Sequence, residues 1–144
     1  MELPSPGLVF VGPPVEPLEV GPYNELSGRS RGDGLDIDHI PSRKALEAYI
    51  RMNFETWDYD TISDLIRRAP SIAIPSGVHQ KFSETYGGRN NLDRRIKDAT
   101  NLEAAVSNNF AALKPGLIES GFSEAELNAA QKSLHDLHKK QGWY

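Results

Sequence analysis

The chain has 144 residues, 38% hydrophobic and 25% charged, with a formal net charge of −4 and no cysteine. That length fits one domain with a modest core rather than two, and the missing cysteine excludes disulfides, thiolate metal sites and a cysteine nucleophile, leaving His, Asp, Glu, Asn and backbone oxygen as metal donors. The mild acidity argues against a nonspecific coat on nucleic acid, no apolar run approaches the roughly 20 residues that cross a bilayer, and the start of the chain lacks the basic and apolar regions of a signal peptide.

Residues 1–22 hold six of the ten prolines and show no helical periodicity. They read as a Pro-rich arm or linker with a short strand at Leu8-Val9-Phe10-Val11, which places the domain proper at 23–144. A Gly- and Arg-containing loop, YNELSGRSRGDG, then leads into an alternating strand from Leu35 to Ile40, closed by Pro41. Ser42 caps a helix reaching about Phe54, with Leu46, Tyr49, Ile50 and Phe54 at helical spacing. A second helix covers Thr61 to Arg68, opened by a capping box at Thr61-Ile62-Ser63-Asp64, and Pro70 ends it. Ser71 to Ile74 is β-branched and bounded by prolines, a short strand suited to pair with the first. Ser76 caps a helix from Gly77 to about Tyr86, stopped by Gly87-Gly88. Beyond Asn91 the chain reads as helix: Leu92 to Leu113, an interruption at Lys114-Pro115-Gly116, then Ser123 to Gln141. The last start has a capping box, Ser123 to Glu126, and a buried stripe of Leu127, Ala130, Leu134 and Leu137.

Charge is uneven along this frame. From His79 to Lys97 five cations (Lys81, Arg89, Arg94, Arg95 and Lys97) face two acids, which permits a basic face on an acidic chain. The chemistry concentrates in GLDIDHIPS, residues 34–42, where Asp36, Asp38 and His39 crowd the end of the first strand. His79 falls in the first turn after the second strand, so pairing of the strands should bring it close to Asp38-His39. A carboxylate and an imidazole can hold a divalent cation while a second imidazole, with a pKa near 6.5, takes a proton from water. Ideal alternation sends Asp38 and His39 to opposite faces, so both reach one site only if the strand end twists.

GLDIDHIPS followed by IAIPSGVHQKFSETYGGRN resembles the HNH or endonuclease-seven-like nucleases with a ββα-metal core, in particular the toxin domains of bacterial polymorphic and type VI secretion effectors. The resemblance spans about half the chain, with core motifs at 34–42 and 71–91. It implies an α+β, mainly α fold: a small ββα-metal core with a helical insertion and C-terminal helices. It also implies a metal-dependent endonuclease, a DNase toxin with Asp38 and His79 as metal ligands and His39 as general base; the alternatives are an RNA-cleaving toxin or a catalytically silent binding domain.

Many such nucleases place a further His or Asn where this chain has Ser83, so Ser83, Glu84, Asn90, Asn91 or water must complete the shell. Mg²⁺ or Zn²⁺ is the expected cofactor, with Mn²⁺ and Ni²⁺ also compatible. Asp36 supports the ligands, faces solvent or itself touches the metal. Arg89, after two glycines, is a candidate clamp for the scissile phosphate or a turn cap; Arg29, Arg31 and Arg43 are candidate phosphate contacts. His135 and His138 read as a solvated helix end, and Tyr49, Phe54, Trp57 and Tyr59 as core or lid. The expected partners are DNA, a cognate immunity protein and a larger delivery protein joined through the arm, with action in the target-cell cytoplasm and no membrane.

Overall fold

A computed structural model describes residues 12–144. A three-stranded antiparallel sheet of β1 (Val20–Pro22), β2 (Leu35–His39) and β3 (Pro70–Pro75), in the order β1-β3-β2, carries seven helices: α1 (Tyr23–Arg29), α2 (Arg43–Asn53), α3 (Tyr59–Arg67), α4 (Ser76–Phe82), α5 (Leu92–Thr100), α6 (Leu102–Glu119) and α7 (Glu124–Gln141). The architecture is α+β and mainly helical, as expected: β2, β3 and α4 form a small ββα unit, α2 and α3 are inserted between its strands, and α5 to α7 follow it. The expected strand at residues 8–11 lies outside the described residues.

The register explains what each face of β2 meets. Asp38 sits opposite Ile72 and Asp36 opposite Ile74, while His39 faces Ser71 and Ile37 faces Ala73. Side chains alternate along a strand, so Asp36 and Asp38 share one face with Ile72 and Ile74, and Ile37 and His39 share the other. The first face is the main core, where Ile72 and Ile74 pack with Val78, Phe110, Leu117 and Leu134 from α4, α6 and α7. Behind the second face, Leu26 of α1 and Val15 close over Ala73.

Several elements depart from expectation for identifiable reasons. Residues 12–22 are no detached arm: Val15 is buried, the Leu18 amide donates to the Ala73 carbonyl at 2.8 Å, and Val20–Pro22 pairs with β3. Prolines are tolerated there because β1 is an edge strand. The stretch read as a loop contains α1, formed although Gly28 and Ser27 weaken it, because Leu26 becomes fully buried. Helix α3 starts before Thr61, since the Asp58 carboxylate accepts from the Thr61 amide at 2.8 Å and caps it. The long helix after Asn91 breaks at Asn101, whose side chain accepts from the Ala104 amide at 3.0 Å and opens α6, and α6 then runs through Pro115.

Helix α7 begins with the expected capping box. Its stripe continues through His138, fully buried, rather than Leu137. The His138 Nε2–H donates to the Ile40 carbonyl at 2.7 Å and its ring stacks on Tyr144, while His135 bonds Ser107 and Tyr144, so this pair is no solvated helix end. Phe54 and Trp57 stack on each other and, with Tyr59, remain exposed rather than core. No helix among the described residues is long and apolar enough to cross a membrane.

Candidate functional site

Strand alternation puts Asp36 and Asp38 on one face, and the tight passage from β3 into α4 delivers His79 between them. The His79 Nδ1 lies 2.7 Å from Asp36 Oδ2, and its Nε2 lies 3.4 Å from Asp38 Oδ1. Ser76, expected as a helix cap, instead donates its hydroxyl to Asp36 Oδ1 at 2.7 Å and fixes that carboxylate. The Tyr86 ring packs against the imidazole at near right angles, with centroids 5.0 Å apart. Burial disfavours a charged imidazole here, but the hydrogen bonds and negative charge of Asp38 and Asp36 outweigh it and raise the His79 pKa to about 9. Asp36 is drawn below its ordinary value: burial pushes it up, and the contacts from His79 and Ser76 prevail.

This arrangement can hold a cation. Asp36 accepting from Nδ1–H is the outer-shell contact that orients a metal-binding imidazole and directs Nε2 toward the metal. Two ligands of a tetrahedral cation with bonds of about 2.1 Å stand about 3.4 Å apart, and Nε2 and Asp38 Oδ1 have that separation. Among the described residues no three His, Asp or Glu side chains converge as a complete cage. The protein thus offers two donors and an orienting carboxylate; a cation held there would take its remaining ligands from water or substrate oxygen.

The structure does not bring His39 to this pair. It is buried on the opposite face of β2, stacked on Tyr23 with centroids 4.3 Å apart, and its Nε2–H donates to the Ile66 carbonyl at 2.9 Å. Burial lowers its pKa, partly countered by the Ile66 contact, so the ring is neutral at pH 7. His39 lines a cavity of about 230 Å³ with Tyr23, Arg43, Ser63 and Arg67.

The other candidates have structural neighbours. Arg89 donates to the carbonyls of Gln80 and Lys81, capping the end of α4, and lies over the Tyr86 ring. Ser83 is buried, ends α4 and commits its hydroxyl to the following turn, where it accepts from the Thr85 amide. Asn90 donates to Ser42 Oγ at 3.1 Å, while its buried Oδ1 has no partner among the described residues. Arg29 is committed inside the fold, with both terminal nitrogens on Glu19 at 2.6 and 2.7 Å, a contact to Glu25, and its remaining donors on Pro13 and Pro14, which leaves no edge for a phosphate. Arg31 reaches the Gly12 carbonyl at 2.9 Å. Arg43 is exposed at the start of α2.

Sequence reasoning missed Ser76 as the partner of Asp36, and it missed Tyr23, Ser63 and Arg67 around His39. The i,i+4 spacing of Ser63 and Arg67 was a usable signal that both share one side of a helix. Tyr23 gave none.

No family model matches the chain, and no solved structure matches it significantly. In an alignment of 133 positions that covers 89% of the chain, it is 35% identical to a protein of Dickeya dadantii (strain 3937) named Deoxyribonuclease CdiA. The chain spans 4% of that protein's length, so the similarity is to one small portion of a far longer polypeptide.

Proposed function

We propose that this domain is a metal-dependent deoxyribonuclease of the HNH or endonuclease-seven-like kind, the toxic module of a larger secreted protein. The observation that carries the reading is His79 held between two carboxylates, with Nδ1 tied to Asp36 and Nε2 a single cation's span from Asp38. Similarity to a protein named a deoxyribonuclease supports DNA as the substrate. The small share of that protein matched supports a module carried by a delivery chain. A nuclease of this kind acts in the cytoplasm of the target cell, and its producer requires an immunity protein against it.

In this reading Asp38 and His79 hold a divalent cation, Zn²⁺ fitting the observed span and Mg²⁺ or Mn²⁺ fitting the water-rich remainder. Such a cation polarises a phosphoryl oxygen, lowers the pKa of nearby water and offsets charge on the leaving oxygen. Asp36, fixed by Ser76, keeps the proton on Nδ1 of His79 and so leaves Nε2 as the donor. Arg89 keeps the end of α4 in place beneath Tyr86. His39 takes no part in activating water here, because it approaches the substrate from the other side of β2.

The purified domain should nick plasmid DNA with added Zn²⁺, Mg²⁺ or Mn²⁺ and stop in EDTA. His79→Ala should reduce cleavage to background with its circular dichroism unchanged, and Asp36→Asn should weaken metal affinity by about 10- to 100-fold, read by calorimetry apart from activity. Wild-type cleavage by His79→Ala would sink the proposal.

A further inference from the structure

The cavity behind His39 brings two arginines together around a buried imidazole. Tyr23, His39, Arg43, Ser63 and Arg67 line it, and none of the five is acidic. Its floor is rigid, because His39 is tied to Ile66 and stacked on Tyr23. Its rim is cationic: Arg43 makes no hydrogen bond or ion pair with the described residues, and Arg67 has only a distant exposed contact to Asp64 at 3.8 Å. Two guanidinium groups and two hydroxyls over a buried floor match an oxyanion with several acceptor oxygens, and arginine suits phosphate through its planar fork. The volume of about 230 Å³ admits a phosphate group with its water.

The cavity and the Asp38–His79 pair flank one strand, since adjacent residues 38 and 39 point to opposite faces. We infer that this cavity binds a phosphate of the nucleic-acid backbone next to the one cut at Asp38–His79, with Arg43 and Arg67 as its anchors and His39 as its floor. This rests on the nuclease reading for the identity of the substrate. In this arrangement Asp38 and His39 divide the labour: one residue serves the cut, and its neighbour supports the grip on the strand.

The test is made in EDTA, where no cleavage interferes. Duplex binding is followed by fluorescence anisotropy across a salt series for the wild type, Arg43→Ala, Arg67→Ala and, as a control away from the cavity, Arg51→Ala. Each cavity variant should bind more weakly, and removing both arginines should flatten the dependence of log affinity on log salt by about 0.9, while Arg51→Ala leaves the slope unchanged. Inorganic phosphate alone should move the Arg43 and Arg67 Nε–H resonances. With metal restored, the cavity variants should raise KM far more than they lower kcat. An unchanged slope in the Arg43→Ala, Arg67→Ala double variant overturns the inference. So does phosphate binding without any effect on duplex affinity, or EDTA-resistant cleavage of RNA that His39→Ala abolishes. Slope changes that persist in a protein that cleaves nothing would leave this site standing and remove the hydrolytic reading instead.

Discussion

His79 and His138 set opposite pH limits on the metal-free protein. Asp38 and Asp36 raise His79 to about 9 against the cost of burial, so its stabilisation is complete below its unfolded pKa near 6.5 and is lost as pH rises toward 9. Burial lowers His138 to about 4, so its stabilisation is complete above about 6.5 and is lost as pH falls toward 4. Each limb is on the order of 3 kcal/mol. Thermal melts in EDTA should therefore peak near pH 6.5; His79→Gln should flatten the alkaline limb, and a Tm constant from pH 6.5 to 9 in the wild type contradicts the geometry around His79. Much of this was legible in the sequence: two residues apart on an alternating strand, Asp36 and Asp38 had to share a face. His39 was harder to place, because alternation argued one way and the adjacency of an Asp-His pair the other, and the contact to Ile66 that decides it comes from a helix 27 residues away.

At the scale of elements, α4 carries His79 and packs on α6 through Val78 and through a close approach of Phe82 to Gly116. A Cβ on Gly116 would collide with the Phe82 ring. Alanine usually gains up to about 1 kcal/mol over glycine inside a helix, yet overpacking costs about 1–3 kcal/mol, and a clash with a ring wedged between two helices should win. Gly116→Ala is expected to lower Tm, and adding Phe82→Ala should recover part of the loss; a Gly116→Ala protein more stable than wild type excludes this account. The elements readable in advance had local marks: alternation in β2, β-branched residues in β3, the Ser42 cap of α2 and the capping box of α7. Those missed depend on distant partners or compete with stronger local marks. Helix α1 exists because Leu26 is buried, and Asn101 ends α5 although Pro115, a stronger breaker in isolation, sits inside α6.

At the scale of the molecule, residues 12–22 belong to the sheet. They supply its edge strand, the buried Val15 and the Glu19 carboxylate that receives Arg29. A variant beginning at Tyr23, the boundary that proline content suggests, should lose its cooperative melt by circular dichroism, and an unchanged Tm would show the edge strand to be dispensable. Proline content marked an extended path without revealing that β3 was its neighbour.

The contact from His138 to the Ile40 carbonyl joins residues 98 apart and ties the strand end that bears Asp38 to the final helix. Synthesis runs from the N-terminus, and contacts between distant parts of a chain wait on the closure of long loops. A polypeptide still emerging from the ribosome, with α7 not yet made, therefore lacks the clasp on this strand. The strand end that positions Asp38 beside His79 is secured only once α7 has formed, so this pair is among the last features of the fold to be fixed.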